Sequence, residues 1–279
     1  MLSLVALLLA VTPVVSVGSQ YDSAHVYVAP ADLDRFVSSF TATFGGTASK
    51  KIELTLTPTP SRAAWRFVTS PVGAISIFGF LTPIPYPFGS ERTGWLVTGM
   101  EAAVAAAQTA GAVVVVQTFS DPVGRDTIVD FPGGLRTQLY WHTSKPHFAA
   151  LASVPDNRFY VAPASAGALV KSLLAFTHGT LTSDDRAAPG EEIGAPSETY
   201  RRIRMTSPFG NFVLLATNGR LPYPYGRETI GYRVTNLSET LDKAKTAGAT
   251  VLVAPHAFDG GQEAMLRFPG GYIAEVHAR

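Results

Sequence analysis

The sequence contains one unusual string twice, and this repetition restricts the fold more than any other feature. Residues 85–97 read PYPFGSERTGWLV and residues 222–234 read PYPYGRETIGYRV, an offset of 137 residues in a chain of 279. TSP, TAGA and FPGG recur at the same offset, and YVAP recurs at an offset of 133. A constant offset near half the chain length indicates an internal duplication. We therefore predict two similar repeats, at residues 21–142 and 156–279, joined by a linker at 143–155.

Each repeat divides again into two units with the pattern β-α-β-β-β. In the first unit, apolar residues fall at helical spacing from Leu33 to Phe44, and Gly45 is placed to end that helix. Strand-like runs such as AWRFVTS and GAISIFGF follow the helix. The four extra residues of the second repeat are assigned to a polar loop at 184–198, DDRAAPGEEIGAPSE. The NLS triplet at 236–238 is read as a helix cap by Asn236.

The first 20 residues differ from the rest because they are apolar and carry no charged side chain. This pattern is typical of a secretory signal segment, so we predict export to the periplasm or the extracellular space, with a mature chain that starts near Ser19 to Tyr21. The alternative is a buried N-terminal strand. After removal of the signal segment, no membrane contact is expected.

Charge and cysteine content exclude several classes of function. Lys and Arg number 22 and Asp and Glu 21, which gives a net charge of +1 and no basic stripe for nucleic acid. The chain contains no Cys, which excludes disulfides and thiolate metal sites. The expected partner is a small molecule, and the chain is expected to be a monomer or a homodimer.

Four β-α-β-β-β units, with the repeat endings VDFPGGLRTQLYW and LRFPGGYIAEVHA, resemble the vicinal oxygen chelate superfamily. Glyoxalase I, the extradiol dioxygenases and the bleomycin- and fosfomycin-resistance proteins belong to that superfamily. The resemblance implies an α+β fold in which four βαβββ units form two glyoxalase-like pseudo-repeats. It also implies cups formed by paired units, in which side chains from first and last strands hold a divalent metal that binds adjacent oxygens of a small molecule.

At the superfamily's ligand positions, neither repeat carries a complete set of metal ligands. The first repeat offers His25, Arg92 and Gln138, and the second offers Arg158, Thr229 and Glu275. An Arg side chain has no lone pair with which to bind a cation.

Two arrangements remain open. If units one and four face each other, His25, Glu275 and His277 would hold Fe, Mn, Zn or Ni, while Arg92, Gln138 and Arg158 would form a positive, metal-free cup. If cups form within each repeat, Glu275 would instead pair with an Arg such as Arg158.

The repeated PYP string is a stiff connector across the cup mouth, because proline restricts the backbone. Tyr86 and Tyr223 would line a ligand pocket or clamp two units together, and Phe88 and Tyr225 are assigned to clamping. The candidate ligand-binding residues are Tyr86, Arg92, Gln138, Arg158 and Tyr223. The function is then either that of a metal-dependent lyase, isomerase or dioxygenase, or that of a metal-free protein that binds or sequesters a small molecule.

Overall fold

The computed structural model describes residues 15–21, 24–83, 91–223, 225–226 and 228–279. They form a mixed α+β protein of two sheets, one in each half of the chain, which confirms the predicted class. Tyr86 and Phe88 lie outside the described residues.

The first sheet is built from residues 24–142. Its elements are β1 (Ala24–Tyr27), α1 (Leu33–Phe44), β2 (Thr47–Ala48), β3 (Ile52–Thr55), β4 (Arg62–Ser70), β5 (Gly73–Phe80), β6 (Glu91–Leu96), α2 (Met100–Thr109), β7 (Val113–Ser120), β8 (Gly124–Phe131) and β9 (Leu135–His142). The strand order is β2-β4-β5-β1-β6-β9-β8-β7, and β3 also pairs with β4. The antiparallel pair β1 and β6 joins the two parts of this sheet at its centre.

The second sheet repeats this topology. Its elements are β10 (Asp156–Val161), α3 (Pro163–Thr177), β11 (Thr180–Pro189), β12 (Thr199–Ser207), β13 (Gly210–Ala216), β14 (Glu228–Arg233), α4 (Leu237–Thr246), β15 (Thr250–Phe258), β16 (Gly261–Arg267) and β17 (Ile273–Ala278). The strand order is β11-β12-β13-β10-β14-β17-β16-β15. A 3₁₀-helix at Gly190–Ile193 follows β11 and reaches across to contact β15 and β16, so the sheet curves around it.

The polar segment 184–198 is not the simple loop that the sequence suggested. Its first part belongs to β11, which pairs with β12 through two register shifts, and the 3₁₀-helix occupies its middle. Backbone pairing with β12 provides the hydrogen bonds that a polar composition alone does not reveal.

The helix-covered faces of the two sheets pack against each other. In one core cluster, Phe36 and Phe40 of α1 meet Tyr232 and Tyr272 of the second half, and α1 contacts α4. In the other, Trp95 packs against aromatic side chains of the second half and donates from its indole nitrogen to Asn157 Oδ1 at 3.3 Å. These cores bury the apolar stripe predicted for α1, and the helix ends at Gly45, whose φ of 77° suits glycine.

The last residues of the predicted signal segment pack onto the first sheet. Val15 is buried, and Val17 forms an isolated bridge with Val97. The Gln20 side chain donates to Leu96 O at 3.0 Å and accepts from Leu96 N at 2.8 Å. Residues 15–20 therefore pack against the first half, as expected from the alternative prediction of a buried N-terminal strand. Export stays a prediction.

Asn236 caps α4, as predicted, because its side chain accepts a hydrogen bond from Glu239 N at 3.1 Å. Within the described part of the chain, none of the helices has the length and apolar character needed to cross a membrane.

Candidate functional site

Each sheet has one face covered by helices and an opposite face, called here the open face. Side chains alternate along a strand, so Ala24 and Val26 enter the core beneath the helices while His25 and Tyr27 point to the open face of the first sheet. By the same alternation, Ala274 and Val276 are in that core, and Glu275 and His277 point to the open face of the second sheet.

This geometry corrects the predicted metal site. His25 lies on β1 beside Arg92 of β6, while Glu275 lies on β17 beside Gly231 of β14. Helices α1 and α4 pack together in a core shared by the two halves, so the open faces of the two sheets point apart. The predicted convergence of His25 with Glu275 and His277 is therefore wrong, as is the grouping of Arg158 with Arg92 and Gln138.

A buried cluster of charges occupies the open face of the second sheet, with Arg158 at its centre. Arg158 is fully buried, and its guanidinium donates to Glu192 Oε1 at 2.9 Å and lies 3.7 Å from Glu263 Oε2. Glu192 comes from the 3₁₀-helix and also accepts from Arg202 at 2.7 Å and from the Tyr200 hydroxyl. Burial opposes the charge of Arg158, but the surrounding carboxylates keep its pKa well above the ordinary value.

Glu263 and His256 form a second pair in this cluster, and their nearest atoms are 2.9 Å apart. Burial, together with the nearby Glu192 carboxylate, raises the pKa of Glu263 to about 8. Glu263 can therefore hold a proton at neutral pH, which lowers the number of buried negative charges around Arg158.

Glu275 and His277 form a third pair at the edge of the cluster. His277 Nδ1 lies 3.0 Å from Glu275 Oε2. Burial is the largest single influence on the pKa of His277 and would lower it, but the hydrogen bond to Glu275 together with the charges of Glu275 and Asp156 raises the pKa overall. Glycine at position 231 makes room for this pair, because a Cβ there would lie 2.5 Å from Glu275 Oε2 and 3.2 Å from Arg158 Cδ.

These residues do not fit the divalent metal that the superfamily resemblance implies. The described residues include no group of three or more His, Asp or Glu side chains arranged to hold a metal ion. Arg158 brings a permanent positive charge beside Glu275, and a metal cation placed there would be repelled. We therefore assign no chemistry on this chain to a metal.

The open face of the first sheet carries a row of aromatic rings. Trp65, Phe78 and Tyr27 are register neighbours on β4, β5 and β1, and Tyr27 stacks on Phe78 at 5.7 Å between ring centroids. Phe67, two residues after Trp65, contacts Phe148 of the 143–155 segment at 4.8 Å.

The rings continue across the face to β9. Phe148 meets Tyr21 at 5.8 Å, Tyr21 meets His142 at 5.4 Å, and His142 meets Tyr140 at 5.3 Å. We call the following set the aromatic belt: Tyr21, Tyr27, Trp65, Phe67, Phe78, Tyr140, His142 and Phe148. Trp65, Phe67, His142 and Phe148 are only partly buried, so the belt keeps accessible ring surface.

Polar groups lie on the sheet beneath this belt. Gln138 Nε2 donates to the buried Asp126 Oδ1 at 3.1 Å, and His25 packs edge-on against Phe78 at 5.3 Å. Burial lowers the pKa of His142, which keeps its imidazole neutral at pH 7. Among the described residues, none forms a hydrogen bond with the buried His142 Nδ1.

The predicted ligand-binding residues are therefore divided between the two halves. Gln138 lies under the aromatic belt, and Arg92 is the register neighbour of His25. Arg158 is at the centre of the charge cluster. Tyr223 is half-buried and contacts Tyr225 at 6.0 Å, and the fully buried Tyr225 stacks on Tyr160 at 5.2 Å, in keeping with the clamping role assigned to it.

Sequence reasoning missed the residues that most define both faces. Trp65 and Phe67 alternate along a recognised strand, so a count of open-face rings could have found them. Glu192 and Phe148 gave no such signal, because a short helix and a linker bring them to their positions through tertiary packing.

Comparison with known proteins identifies the fold. No protein-family model and no curated protein sequence matches the chain. Among solved structures, a mutant of homoprotocatechuate 2,3-dioxygenase from Brevibacterium fuscum superposes with a TM-score of 0.63 at 13% identity, over 96% of this chain and 73% of that one.

Two further structures match over nearly their whole length. A triple mutant of 4-hydroxymandelate synthase from Streptomyces coelicolor has a TM-score of 0.60 at 13% identity, over 94% of this chain and 92% of that one. The 2,2′,3-trihydroxybiphenyl 1,2-dioxygenase of Sphingomonas wittichii strain RW1 has a TM-score of 0.58 at 15% identity, over 94% and 90%. These proteins belong to the vicinal oxygen chelate superfamily, and the chain has the fold of that superfamily.

Proposed function

We propose that this protein binds a small aromatic molecule with adjacent oxygens on the open face of its first half, without a metal ion. On this proposal the chain is a duplicated pair of βαβββ units. The first half binds the ligand on its open face, whereas buried charged side chains fill the open face of the second half. The observation that carries it is the aromatic belt, whose partly accessible rings surround the polar side chains of Asp126 and Gln138.

Ring surface is suited to planar ligands because stacked and edge-on ring pairs contribute about 0.5–1.5 kcal/mol each beyond the area they bury. Small-molecule sites combine such apolar walls with a few polar groups that orient the ligand. On this proposal the rings of Tyr21 and Tyr140 beside His142 move aside, and a ligand hydroxyl bonds to the buried Nδ1 of the neutral His142, which has no hydrogen-bond partner among the described residues. Asp126 and Gln138 supply polar atoms beneath the belt.

The contrast between the two halves supports the same assignment. In the second half, Glu192, Arg158 and Tyr225 fill the open face and are each at most 2% exposed. In the first half, the corresponding face presents rings, and the solved structures of similar fold include enzymes named for homoprotocatechuate and trihydroxybiphenyl. A ring with adjacent hydroxyls is therefore the ligand class we propose.

Two ligands that differ only in their hydroxyls test this proposal. Homoprotocatechuate and phenylacetate are titrated into the native protein and His142→Phe in the presence of a chelator. His142→Phe keeps a ring in the belt but removes Nδ1. The affinity for homoprotocatechuate should fall by roughly 5- to 10-fold, equivalent to one hydrogen bond of about 1–1.5 kcal/mol, while the affinity for phenylacetate stays the same.

Tyr223→Leu, in the second half, is the matched control and should leave both affinities unchanged. Loss of binding when the chelator is added, or equal weakening by Tyr223→Leu and His142→Phe, would refute a metal-free site in the first half.

A further inference from the structure

A pocket apart from the aromatic belt lies where the two halves meet. Its volume is about 150 Å³. Pro71 and Val72, in the turn between β4 and β5, form one wall, and Ser153 lies at the approach to β10. The other walls come from the ends of β10, β14 and β17 on the open face of the second sheet. No residue of the belt lines it.

An arginine and a histidine stand side by side in this pocket. Arg233 and His277 are register partners on the parallel strands β14 and β17, so their side chains leave the same face of the sheet. Arg233 contacts Ser153 Oγ at 3.4 Å and forms no ion pair with any residue in the described part of the chain. An arginine without a carboxylate partner keeps its donors for a ligand.

His277 is oriented so that one ring nitrogen remains for the pocket. Its Nδ1 faces both oxygens of Glu275, at 3.1 and 3.0 Å, and the residue is 4% exposed. Across the described ranges, no protein atom hydrogen bonds to Nε2. A histidine held through one nitrogen by a carboxylate presents the other nitrogen in a fixed direction.

The charges of the walls favour an anion. The acidic wall residue is Asp156, and Asn211 Nδ2 already donates to its Oδ1 at 2.9 Å. Arg279 adds a second arginine to the walls, and its Nη2 lies 3.2 Å from Asp259 Oδ2. Two arginines and one aspartate among the wall residues give the pocket lining a net charge of +1 when His277 is counted as neutral. At about 30 Å³ for each water molecule in the liquid, the volume corresponds to about five waters, the size of a single carboxylate or phosphate group.

We propose that this pocket binds a small anion, through Arg233 and the Nε2 atom of His277. The ligand class is a free oxyanion or the carboxylate or phosphate group of a small molecule. Charge-assisted hydrogen bonds from a guanidinium are the strongest that such a pocket can supply. This site is independent of the proposed function, because none of its wall residues belongs to the aromatic belt.

Calorimetric titration with inorganic phosphate and with acetate tests the proposal. The native protein should bind at least one of the two probes, and Arg233→Gln should weaken that binding by about tenfold or more, since a hydrogen bond to a charged group contributes about 1.5–3 kcal/mol. The matched control is Arg267→Gln, which removes the same charge from an exposed position on β16 outside the pocket. Binding to Arg267→Gln should equal that of the native protein.

The possible outcomes distinguish an anion site at Arg233 from a general effect of charge. A selective loss in Arg233→Gln supports the site, and preference for phosphate or acetate identifies the chemical class. Equal weakening in both variants would show a general charge effect and overturn the proposal. Failure of the native protein to bind either probe would overturn it as well. Both variants alter exposed side chains, so unchanged melting temperatures confirm that the comparison is between folded proteins.

Discussion

Replacement of Arg158 by methionine tests whether the buried charge cluster is organised around this residue. Methionine keeps much of the volume of the side chain but removes the charge. Removing one partner from a buried ion pair costs about 3–5 kcal/mol, because it leaves the other partner's charge uncompensated. In this cluster each carboxylate keeps one partner: Glu192 keeps Arg202, Glu263 keeps His256 and Glu275 keeps His277. We therefore expect a loss near the lower limit, about 3 kcal/mol.

The loss is measured by urea denaturation and by calorimetric melting. For chains of about 150–250 residues, 1 kcal/mol corresponds to about 2–4 °C in Tm. This chain has 279 residues, so the lower end applies and Arg158→Met should melt roughly 6 °C below the native protein. Arg201→Met is the matched control, because Arg201 makes a bidentate pair with Asp184 at 2.7 Å on the protein surface. Such pairs contribute about 0.2–1 kcal/mol, so the control should change little.

A double variant separates charge from packing. If Arg158 stabilises the fold by compensating Glu192, the losses caused by Arg158→Met and Glu192→Gln should not add, and the double variant should be more stable than their sum predicts. A loss for Arg158→Met within 1 kcal/mol of the Arg201→Met control, or additive losses in the double variant, would refute the central role of Arg158.

Three other expectations follow from the same structure. Gly231→Ala should destabilise the protein by about 1–3 kcal/mol in urea denaturation, because the new Cβ would clash with Glu275. The control is Gly167→Ala, at a helix position with open space, which should be neutral or stabilising. Equal effects of the two substitutions would contradict this expectation. Folding stability measured by denaturation at a series of pH values should decline as pH rises from about 5 to 8, because the raised pKa of Glu263 makes the folded state bind a proton that the unfolded state releases. Glu263→Gln should flatten this decline, and an unchanged slope would contradict the assignment. Gln20→Ala should lower the free energy of unfolding by about 1–3 kcal/mol in the same assay, since the buried backbone N–H and C=O of Leu96 lose this partner. A negligible change would show that residues 15–20 do not stabilise the first half.

The sequence pattern allowed the mixed α+β class to be predicted but not the way in which the two halves face each other. Residues at matching repeat positions do occupy matching places: Gln138 lies beside Gly94 as Glu275 lies beside Gly231. Strand alternation also placed Glu275 and His277 correctly on one face. The choice between cups within a repeat and cups across repeats depends on which strands pair at the centre of each sheet. No local pattern encodes that pairing.

The candidate site was predictable only in part, for a physical reason. Open-face residues on strands follow a period of two and can be read from the sequence, as with His25 and Gln138. The residues that close each face come from non-periodic segments. Glu192 arrives on a 3₁₀-helix and Phe148 on the linker, and each is positioned by long-range packing that sequence spacing does not express.

A crystal structure of the protein with homoprotocatechuate, grown after treatment with a chelator, tests the central claim most directly. We expect a ligand ring against Phe67 and His142 on the open face of the first half, with a hydroxyl within hydrogen-bonding distance of His142 Nδ1. We also expect that Glu275 remains paired with His277 and that no metal ion lies beside Arg158. A ligand seated on the second half, or a metal ion bound by Glu275 and His277 when the crystals are grown with divalent metal, would contradict the central claim.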